Sequence, residues 1–142
     1  MKMKNIAKTL LVFVITLTVT ISTVSAKLSK QAYQLYQKAN LAECNGNTNE
    51  AINLIKQAIS SNTEEDIMLY TKLGGLYVAV ENYDEALNTY KKAVSLQNSD
   101  AFLYISLGNI YQVKGDGVNA LISYQKALEL CPEYKYLSLI HI

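Results

Sequence analysis

Apolar residues recur three and four positions apart through the second half of the chain, and this spacing predicts amphipathic α-helices. Two such stretches follow one another between residues 67 and 100, separated by the polar segment "VENYDE". The first stretch places Leu73, Leu76, Tyr77 and Val80 on one face, and the second places Leu87, Tyr90, Val94 and the neighbouring Ala93 on another. The pattern therefore predicts a pair of helices joined by a short turn.

The same pattern occurs again in the next 34 residues. Residues 67–100 align with 101–134 without a gap, and eleven of the 34 positions are identical. A weaker copy begins at residue 32, with an extra residue in the polar link "SSNTEED". Its matching positions are Leu35, Ala39, Ala42, Gly46, Ala51, Ile55 and Ala58. Repeats of this length are typical of stacked helical hairpins.

The repeated positions resemble the tetratricopeptide repeat, in which an aromatic-x2-Leu-Gly-x2-Tyr stretch precedes Ala-x3-aromatic, Ala and Pro. The resemblance covers residues 32–134. It is fullest in the third copy, at Tyr104, Leu107, Gly108, Tyr111, Ala120, Tyr124, Ala127 and Pro132. It implies an all-α fold, an α-solenoid of three helix-turn-helix units forming a right-handed superhelix. We call residues 32–66, 67–100 and 101–134 repeats one, two and three.

Small and polar residues mark the expected contacts and ends of these helices. Gly74, Gly108 and Ala39, with Ala51, Ala86 and Ala120, remove bulk where the paired helices cross. Asp66 and Asp100 are predicted to cap the first helices of repeats two and three, and Asn47, Asn82 and Asp116 the second helix of each repeat. Gly117 takes the position of Tyr83, so we expect a looser turn in repeat three. Most tyrosines fall on repeat positions and are predicted to belong to the core.

The resemblance also implies where a partner binds, because in this family the first helix of each repeat lines a concave groove. The predicted groove residues are Tyr33, Tyr36 and Asn40, then Met68 and Thr71, then Phe102, Ile105, Asn109 and Gln112. This apolar surface suits a peptide or protein segment with hydrophobic anchors. Alternatively, parts of the same protein or a second copy cover it. A carboxylate clamp of the chaperone-binding kind is not expected, because only Asn40 matches the clamp positions.

The first 26 residues have the order of a secretory signal peptide. Lys2, Lys4 and Lys8 precede a long uncharged stretch that ends in small residues at Val24 and Ala26. We expect cleavage after Ala26 and a periplasmic, cell-envelope or extracellular protein, the alternative being an uncleaved membrane anchor. The domain from 27 to 136 then carries 10 lysines against 12 acids, a net charge of about −2. Because the chain has no arginine, a nucleic acid is not an expected partner.

The last six residues, 137–142, resemble the translation of a transposon end used as a sequencing adaptor. We therefore expect this tail, with the lone His141, to be non-native and the natural chain to continue. The main hypothesis is an exported interaction scaffold. Its alternative is the N-terminal repeat region of a longer exported protein whose remaining part carries a catalytic or wall-binding activity.

Catalytic and metal-binding patterns are not found in the sequence. One terminal histidine provides no Ser-His or Cys-His pair, and the chain has no Cys-x2-Cys or calcium-loop spacing. We therefore expect no enzyme activity, no cofactor and no metal. Cys44 and Cys131 are expected to remain separate, partly buried thiols, since they lie in repeats that do not touch.

Overall fold

The structure, a computed structural model, describes residues 28–133. The predicted signal segment and the tail 137–142 lie outside these residues, so both remain predictions. Within residues 28–133 the regular secondary structure consists of six α-helices. They are α1 (Lys30–Cys44), α2 (Thr48–Ser61), α3 (Ile67–Ala79), α4 (Tyr83–Leu96), α5 (Ala101–Val113) and α6 (Gly117–Leu130). The predicted all-α solenoid is confirmed.

The helices pack in the order in which the chain presents them. The larger contacts pair α1 with α2, α3 with α4, and α5 with α6, and smaller contacts join α2 to α3 and α4 to α5. Three hairpins are thus stacked side by side, as expected for repeats that contact only their neighbours. One apolar core runs through the stack, and its fully buried large side chains are Ile55, Leu69, Leu76 and Leu103. Burial of each such side chain contributes about 1.5–3 kcal/mol.

The first helices of repeats two and three are capped as predicted. The carboxylate of Asp66 accepts a hydrogen bond from the backbone N–H of Met68 at 2.8 Å. Asp100 accepts the equivalent bond from Phe102 at 2.9 Å. Each bond satisfies one of the amides that the first turn of a helix leaves unpaired. The first helix of the chain, α1, is capped by Ser29, whose hydroxyl oxygen accepts a hydrogen bond from the backbone N–H of Ala32 at 3.1 Å.

The second helices are capped in two repeats out of three. Asn82 and Asp116 accept from the N–H three residues later, at 3.4 Å and 3.1 Å. Two hydrogen bonds from Asn119 lower the pKa of the Asp116 carboxyl. Asn47 stands at the same position in repeat one, but its side chain makes no capping bond, so that part of the prediction is wrong.

The three turns inside the hairpins share one backbone conformation. Gly46, Glu81 and Gly115 occupy the same repeat position with φ of 79°, 59° and 78°. The N–H of each donates to the carbonyl oxygen three residues earlier, at 2.9–3.0 Å. The turn before Gly117 keeps this hydrogen bond. A Cβ built on Gly117 would have no heavy atom within 4 Å, apart from its chain neighbours and the backbone of its own helix. The backbone of this turn therefore has the same conformation as in the other repeats, and its loosening stays a prediction.

A tyrosine ring fills the space beside each of the predicted glycines of repeats two and three, Gly74 and Gly108. A Cβ built on Gly74 would lie 2.7 Å from Cε2 of Tyr90, and one on Gly108 would lie 2.5 Å from Cε1 of Tyr124. These distances are shorter than carbon atoms tolerate. Glycine is required at both positions because the ring of the paired helix lies directly on the backbone.

The tyrosines and cysteines differ partly from expectation. Tyr77 and Tyr90 are buried, whereas Tyr70, Tyr104 and Tyr111 are half-buried at the edges of the core. The ammonium groups of two lysines lie 5.5 Å and 5.7 Å from ring centroids at successive repeat junctions, Lys56 over Tyr77 and Lys91 over Tyr111. Cys44 and Cys131 are free thiols as predicted, but Cys44 is exposed rather than partly buried because it is the last residue of α1.

Candidate functional site

A hollow of about 430 Å³ lies on the side formed by the first helices of the repeats. Tyr36 of α1, Met68 and Thr71 of α3, and Phe102 of α5 contribute to its wall. Met68 is 38% exposed and Phe102 is 50% exposed. Large apolar side chains of three successive first helices therefore face one open space, and this space can receive an apolar side chain of another molecule.

A second hollow, of about 230 Å³, continues the first along α3 and α5. Its lining residues are Gly75, Val78, Tyr83, Tyr90, Ser106, Asn109, Ile110 and Val113. Gly75 and Tyr90 also line the first hollow, so the two spaces meet at these residues. Together they form a groove with two depressions, which we call the groove below.

The junction of the two depressions depends on a glycine and a buried phenol. A Cβ built on Gly75 would lie 3.7 Å from Oη of Tyr90, an ordinary contact, so the glycine keeps this part of the groove low. The Tyr90 ring passes beside Gly74, and its hydroxyl reaches the groove next to Ser106. Burial raises the pKa of Tyr90, and the hydrogen bond with Ser106 acts in the opposite direction. The hydroxyl is therefore neutral at physiological pH.

Charged groups stand at the rim of the first depression and are already engaged. The ammonium of Lys72 on α3 forms an ion pair with the carboxylate of Glu43 on α1. The carboxylate of Asp100 caps α5 through the N–H of Phe102. Lys72 and Glu43 thus compensate each other, Asp100 leaves one net negative charge at the rim, and the floor between these groups is uncharged. Such a surface favours an uncharged, apolar ligand segment.

The second depression has a polar edge made by two amides and a phenol. The hydroxyl oxygen of Tyr124 lies 2.7 Å from the side-chain oxygen of Asn109 and 2.9 Å from that of Gln112. A phenol hydroxyl donates only one hydrogen bond, so it can donate to the side-chain oxygen of only one of the two amides. The other amide is best placed with its NH₂ group toward the phenol oxygen, to which it then donates. Burial raises the pKa of Tyr124, which therefore remains protonated. The remaining donors and acceptors of both amides are free to bond a peptide backbone.

Two family profiles match the second half of the chain, which builds part of this groove. The profile described as "TPR repeat" matches residues 74–115, and the one described as "Tetratricopeptide repeat" matches residues 103–134. The chain contains tetratricopeptide repeats (TPRs), which the two profiles match within residues 74–134. No curated protein matches this TPR chain in sequence.

Several solved structures share the TPR fold. The crystal structure of MamA has a TM-score of 0.67 at 20% identity and covers 80% of this chain, which spans 64% of the MamA chain. The Yersinia enterocolitica type III secretion chaperone SycD, in complex with a peptide of the translocator YopD, has a TM-score of 0.69 at 23% identity, covering 78% and 86% of the two chains. The second TPR of Spaghetti (RPAP3), bound to HSP90 peptide SRMEEVD, has a TM-score of 0.65 at 20% identity, covering 71% and 93%. These likenesses show the fold.

The TPR groove contains five of the nine residues predicted to line it. Tyr36, Met68, Thr71 and Phe102 meet in the first depression, and Asn109 lies in the second. The other four lie outside both depressions, namely Tyr33, Asn40, Ile105 and Gln112. The hydroxyl of Tyr33 accepts a hydrogen bond from Gln37 at 2.7 Å within α1. Gln112 stays near the groove through its contact with Tyr124. That these residues bind a partner remains a prediction.

One tyrosine of a second helix, Tyr90, lines the groove, and another, Tyr124, contacts the lining residue Asn109, although the sequence assigned both to the core. Tyr90 forms part of the floor and Tyr124 holds the amides at the edge. Sequence reasoning missed them because only first helices were expected to line the groove. The sequence feature that could have indicated this is the glycine opposite each tyrosine. A ring that lies flat on the backbone of a glycine can extend past the first helix toward its groove side.

Within residues 28–133, no group of three or more His, Cys, Asp or Glu side chains is placed to hold a metal ion. In the same range, no helix is long and apolar enough to cross a bilayer.

Proposed function

We propose that this TPR protein is an exported interaction scaffold whose groove binds an uncharged segment of a partner protein through two apolar side chains. The observation that carries the proposal is the pair of connected depressions with an uncharged floor. The larger depression receives the larger anchor, against Met68 and Phe102. The smaller depression receives the second anchor, against Val78 and Val113. Asn109 and Gln112 bond the backbone between or beside the anchors.

The structural neighbours support this class of function. SycD and the second TPR of RPAP3 each bind a peptide in their structures, and both proteins share the fold of this chain. The RPAP3 ligand is an acidic peptide, whereas the groove here has its one rim lysine, Lys72, paired with Glu43. We therefore propose an apolar segment rather than an acidic one as the ligand.

Selection from a displayed library of random peptides tests this function and does not require the partner to be identified first. We expect selected peptides to share two apolar residues at a fixed spacing and to lack acidic residues. Substitution of Phe102→Asp places a charge in the larger depression and should weaken binding of such a peptide at least about tenfold in fluorescence anisotropy.

Leu41→Asp is the matched control, because Leu41 is also an exposed apolar residue of a first helix but lies in neither depression. It should leave peptide binding unchanged. A second groove variant, Gly75→Leu, fills the junction and should exclude peptides that span both depressions. If both groove variants retain full affinity while circular dichroism shows intact helices, the groove is not the binding site.

Export rests on the order of residues in the first 26 positions. We propose that the protein is exported through the secretory pathway and that the segment is removed after Ala26. N-terminal sequencing of protein recovered outside the cytoplasm should begin at Lys27. A start at Met1 in membrane-bound protein would instead indicate an uncleaved anchor.

A further inference from the structure

The carboxylate of Asp100 gives the groove a charge that no group within residues 28–133 neutralises. Of the described residues that line the two depressions, three are charged, namely Glu43, Lys72 and Asp100. The ammonium of Lys72 is paired with the carboxylate of Glu43. Asp100 forms no ion pair with a residue of this range. One negative charge therefore stands at the edge of the first depression without a counter-charge.

The capping bond of Asp100 occupies only one of its two carboxylate oxygens. Oδ1 accepts the hydrogen bond from the backbone N–H of Phe102 at 2.9 Å. Within the described part of the chain, Oδ2 has no hydrogen-bond partner. The positive end of α5 offsets about half of a unit charge. Part of the negative charge and one acceptor oxygen thus remain available to a bound molecule.

The equivalent cap of repeat two does not face the groove. Asp66 holds the N–H of Met68 in the same way, but Asp66 is 6% exposed and lines neither depression. Asp100 is partly exposed and lines the first depression together with Phe102. The cap itself does not require a charge, because asparagine caps a helix about as well as aspartate. The charge of Asp100 can therefore be removed while the capping bond is kept.

We propose that the segment bound in the groove carries a lysine or arginine next to its larger apolar anchor, and that the carboxylate of Asp100 pairs with this side chain. The inference rests on the proposed function, because it assigns a further chemical feature to the ligand of the same groove. The segment between the two anchors stays uncharged, and the basic residue flanks it.

The position of the basic residue follows from the position of Asp100. Asp100 and Phe102 lie on the wall of one depression, and the carboxylate is bonded to the backbone of Phe102. A cation on Oδ2 and an apolar side chain against the Phe102 ring are therefore close together. An extended peptide advances about 3.3 Å per residue, so we expect the two ligand residues within about two positions of each other.

An acidic residue at that ligand position is disfavoured. The carboxylate of Asp100 repels it, and Lys72, the one cation among the described lining residues, is taken by Glu43. Ion pairs at such partly exposed sites are weak. We therefore expect a lysine to bind about two- to fivefold more tightly than a glutamine at the same ligand position. A glutamate should bind more weakly than the glutamine.

Parallel selections from one displayed library of random peptides test the inference. The three targets are the wild-type protein, Asp100→Asn and the control Asp116→Asn. Asp116 also caps a helix, through the N–H of Asn119, but lies in neither depression, so its variant loses the same charge elsewhere. Wild type and Asp116→Asn should enrich peptides with a lysine or arginine within two residues of the larger apolar residue. Asp100→Asn should enrich the same apolar pair without this preference.

Fluorescence anisotropy then measures the preference on lysine, glutamine and glutamate versions of one enriched peptide with blocked termini. The two- to fivefold preference for lysine over glutamine should disappear in Asp100→Asn and in about 0.5 M salt. The glutamine version should bind wild type and Asp100→Asn equally, and circular dichroism should show equal helix content because the cap is kept.

The outcomes separate this inference from the function on which it rests. Wild-type selections that enrich paired apolar residues without an excess of basic ones overturn the inference and leave the proposed function intact. A preference for basic residues that Asp100→Asn retains also overturns it. If a folded wild-type protein enriches no peptide, the proposed function fails and this inference fails with it.

Discussion

Repeats one and two build the same hairpin from different residues. Their first helices end, and their second helices begin and end, at equivalent positions, yet the outer face of α1 carries Gln34 and Lys38 where α3 carries the buried Leu69 and Leu73. The reason is position in the stack. Helix α3 packs against α2, whereas within the described residues no helix lies on the outer side of α1. Gln34 and Lys38 reduce the apolar surface exposed at that position, although Leu41, the counterpart of the buried Leu76, is 64% exposed.

The two repeats also differ inside the hairpin. Ala39 and Ile55 in repeat one stand where Gly74 and Tyr90 stand in repeat two, so a larger ring is matched by the loss of a methyl group. In the turn, Gly46 corresponds to Glu81, and both have positive φ. The comparison shows that the repeat specifies a volume and a backbone path at each position, and that different residue pairs satisfy both.

Exchange of residues between the outer faces of α1 and α3 should have the largest effect on the free energy of unfolding. Leu69→Gln places the residue of repeat one in the buried contact between α2 and α3. We expect a loss of about 3–5 kcal/mol in the free energy of unfolding, since an apolar contact is removed and an amide is buried without partners. Urea unfolding followed by circular dichroism measures this loss. The reverse exchange, Gln34→Leu, should change stability by less than about 0.5 kcal/mol because position 34 is exposed.

A loss below about 1 kcal/mol for Leu69→Gln would mean that the two outer faces are interchangeable. The difference between repeats one and two would then not arise from stacking.

The core pair provides the next test. Gly74→Ala should cost about 1–2 kcal/mol, because overlap of the new Cβ with the Tyr90 ring outweighs the gain of about 1 kcal/mol in helix propensity. Gly75→Ala is the matched control in the same helix. It meets only Oη of Tyr90 at 3.7 Å, so it should stabilise the protein by up to about 1 kcal/mol.

The double variant Gly74→Ala, Tyr90→Ile transplants the pair of repeat one. Its total loss should be smaller than the sum of the two single losses, since the smaller side chain makes room for the new methyl group. Strict additivity in thermal unfolding would show that the two positions do not share one space.

The turn should show the smallest effect. Glu81 has a φ of 59°, which is strained for a residue with a side chain, and Glu81→Gly removes this strain. Glycine also adds entropy to the unfolded chain, and after this cost is subtracted we expect a stabilisation of about 0.5–1 kcal/mol. In the opposite direction, Gly46→Ala should destabilise by about 1 kcal/mol, although no atom obstructs its side chain. Differential scanning calorimetry resolves both shifts. A destabilised Glu81→Gly would mean that the Glu81 side chain, rather than the backbone, stabilises this turn.

Much of this molecule could be predicted from its sequence. Periodicity and the 34-residue repeat indicated the helices, and short polar residues indicated four of the five predicted caps, because both depend on neighbours along the chain. Five of the nine residues predicted to line a groove also stand in the two depressions, namely Tyr36, Met68, Thr71, Phe102 and Asn109, because these residues occupy lining positions of the repeat. The sequence did not predict that Asn47 makes no capping bond. Residue type alone does not fix the orientation of a side chain at a turn, because that orientation also depends on the contacts around it.

The sequence by itself determined the repeat, the all-α fold and the apolar character of the first helices, because these follow from spacing and composition alone. Only the tertiary structure decided that the rings of Tyr90 and Tyr124 lie directly beside glycines of the paired helix, and that Val118 and Ile122 on α6 have no cover from residues 28–133. Both outcomes depend on how adjacent helices pack, and that arrangement brings together residues that are far apart in the chain or leaves a face without a neighbour.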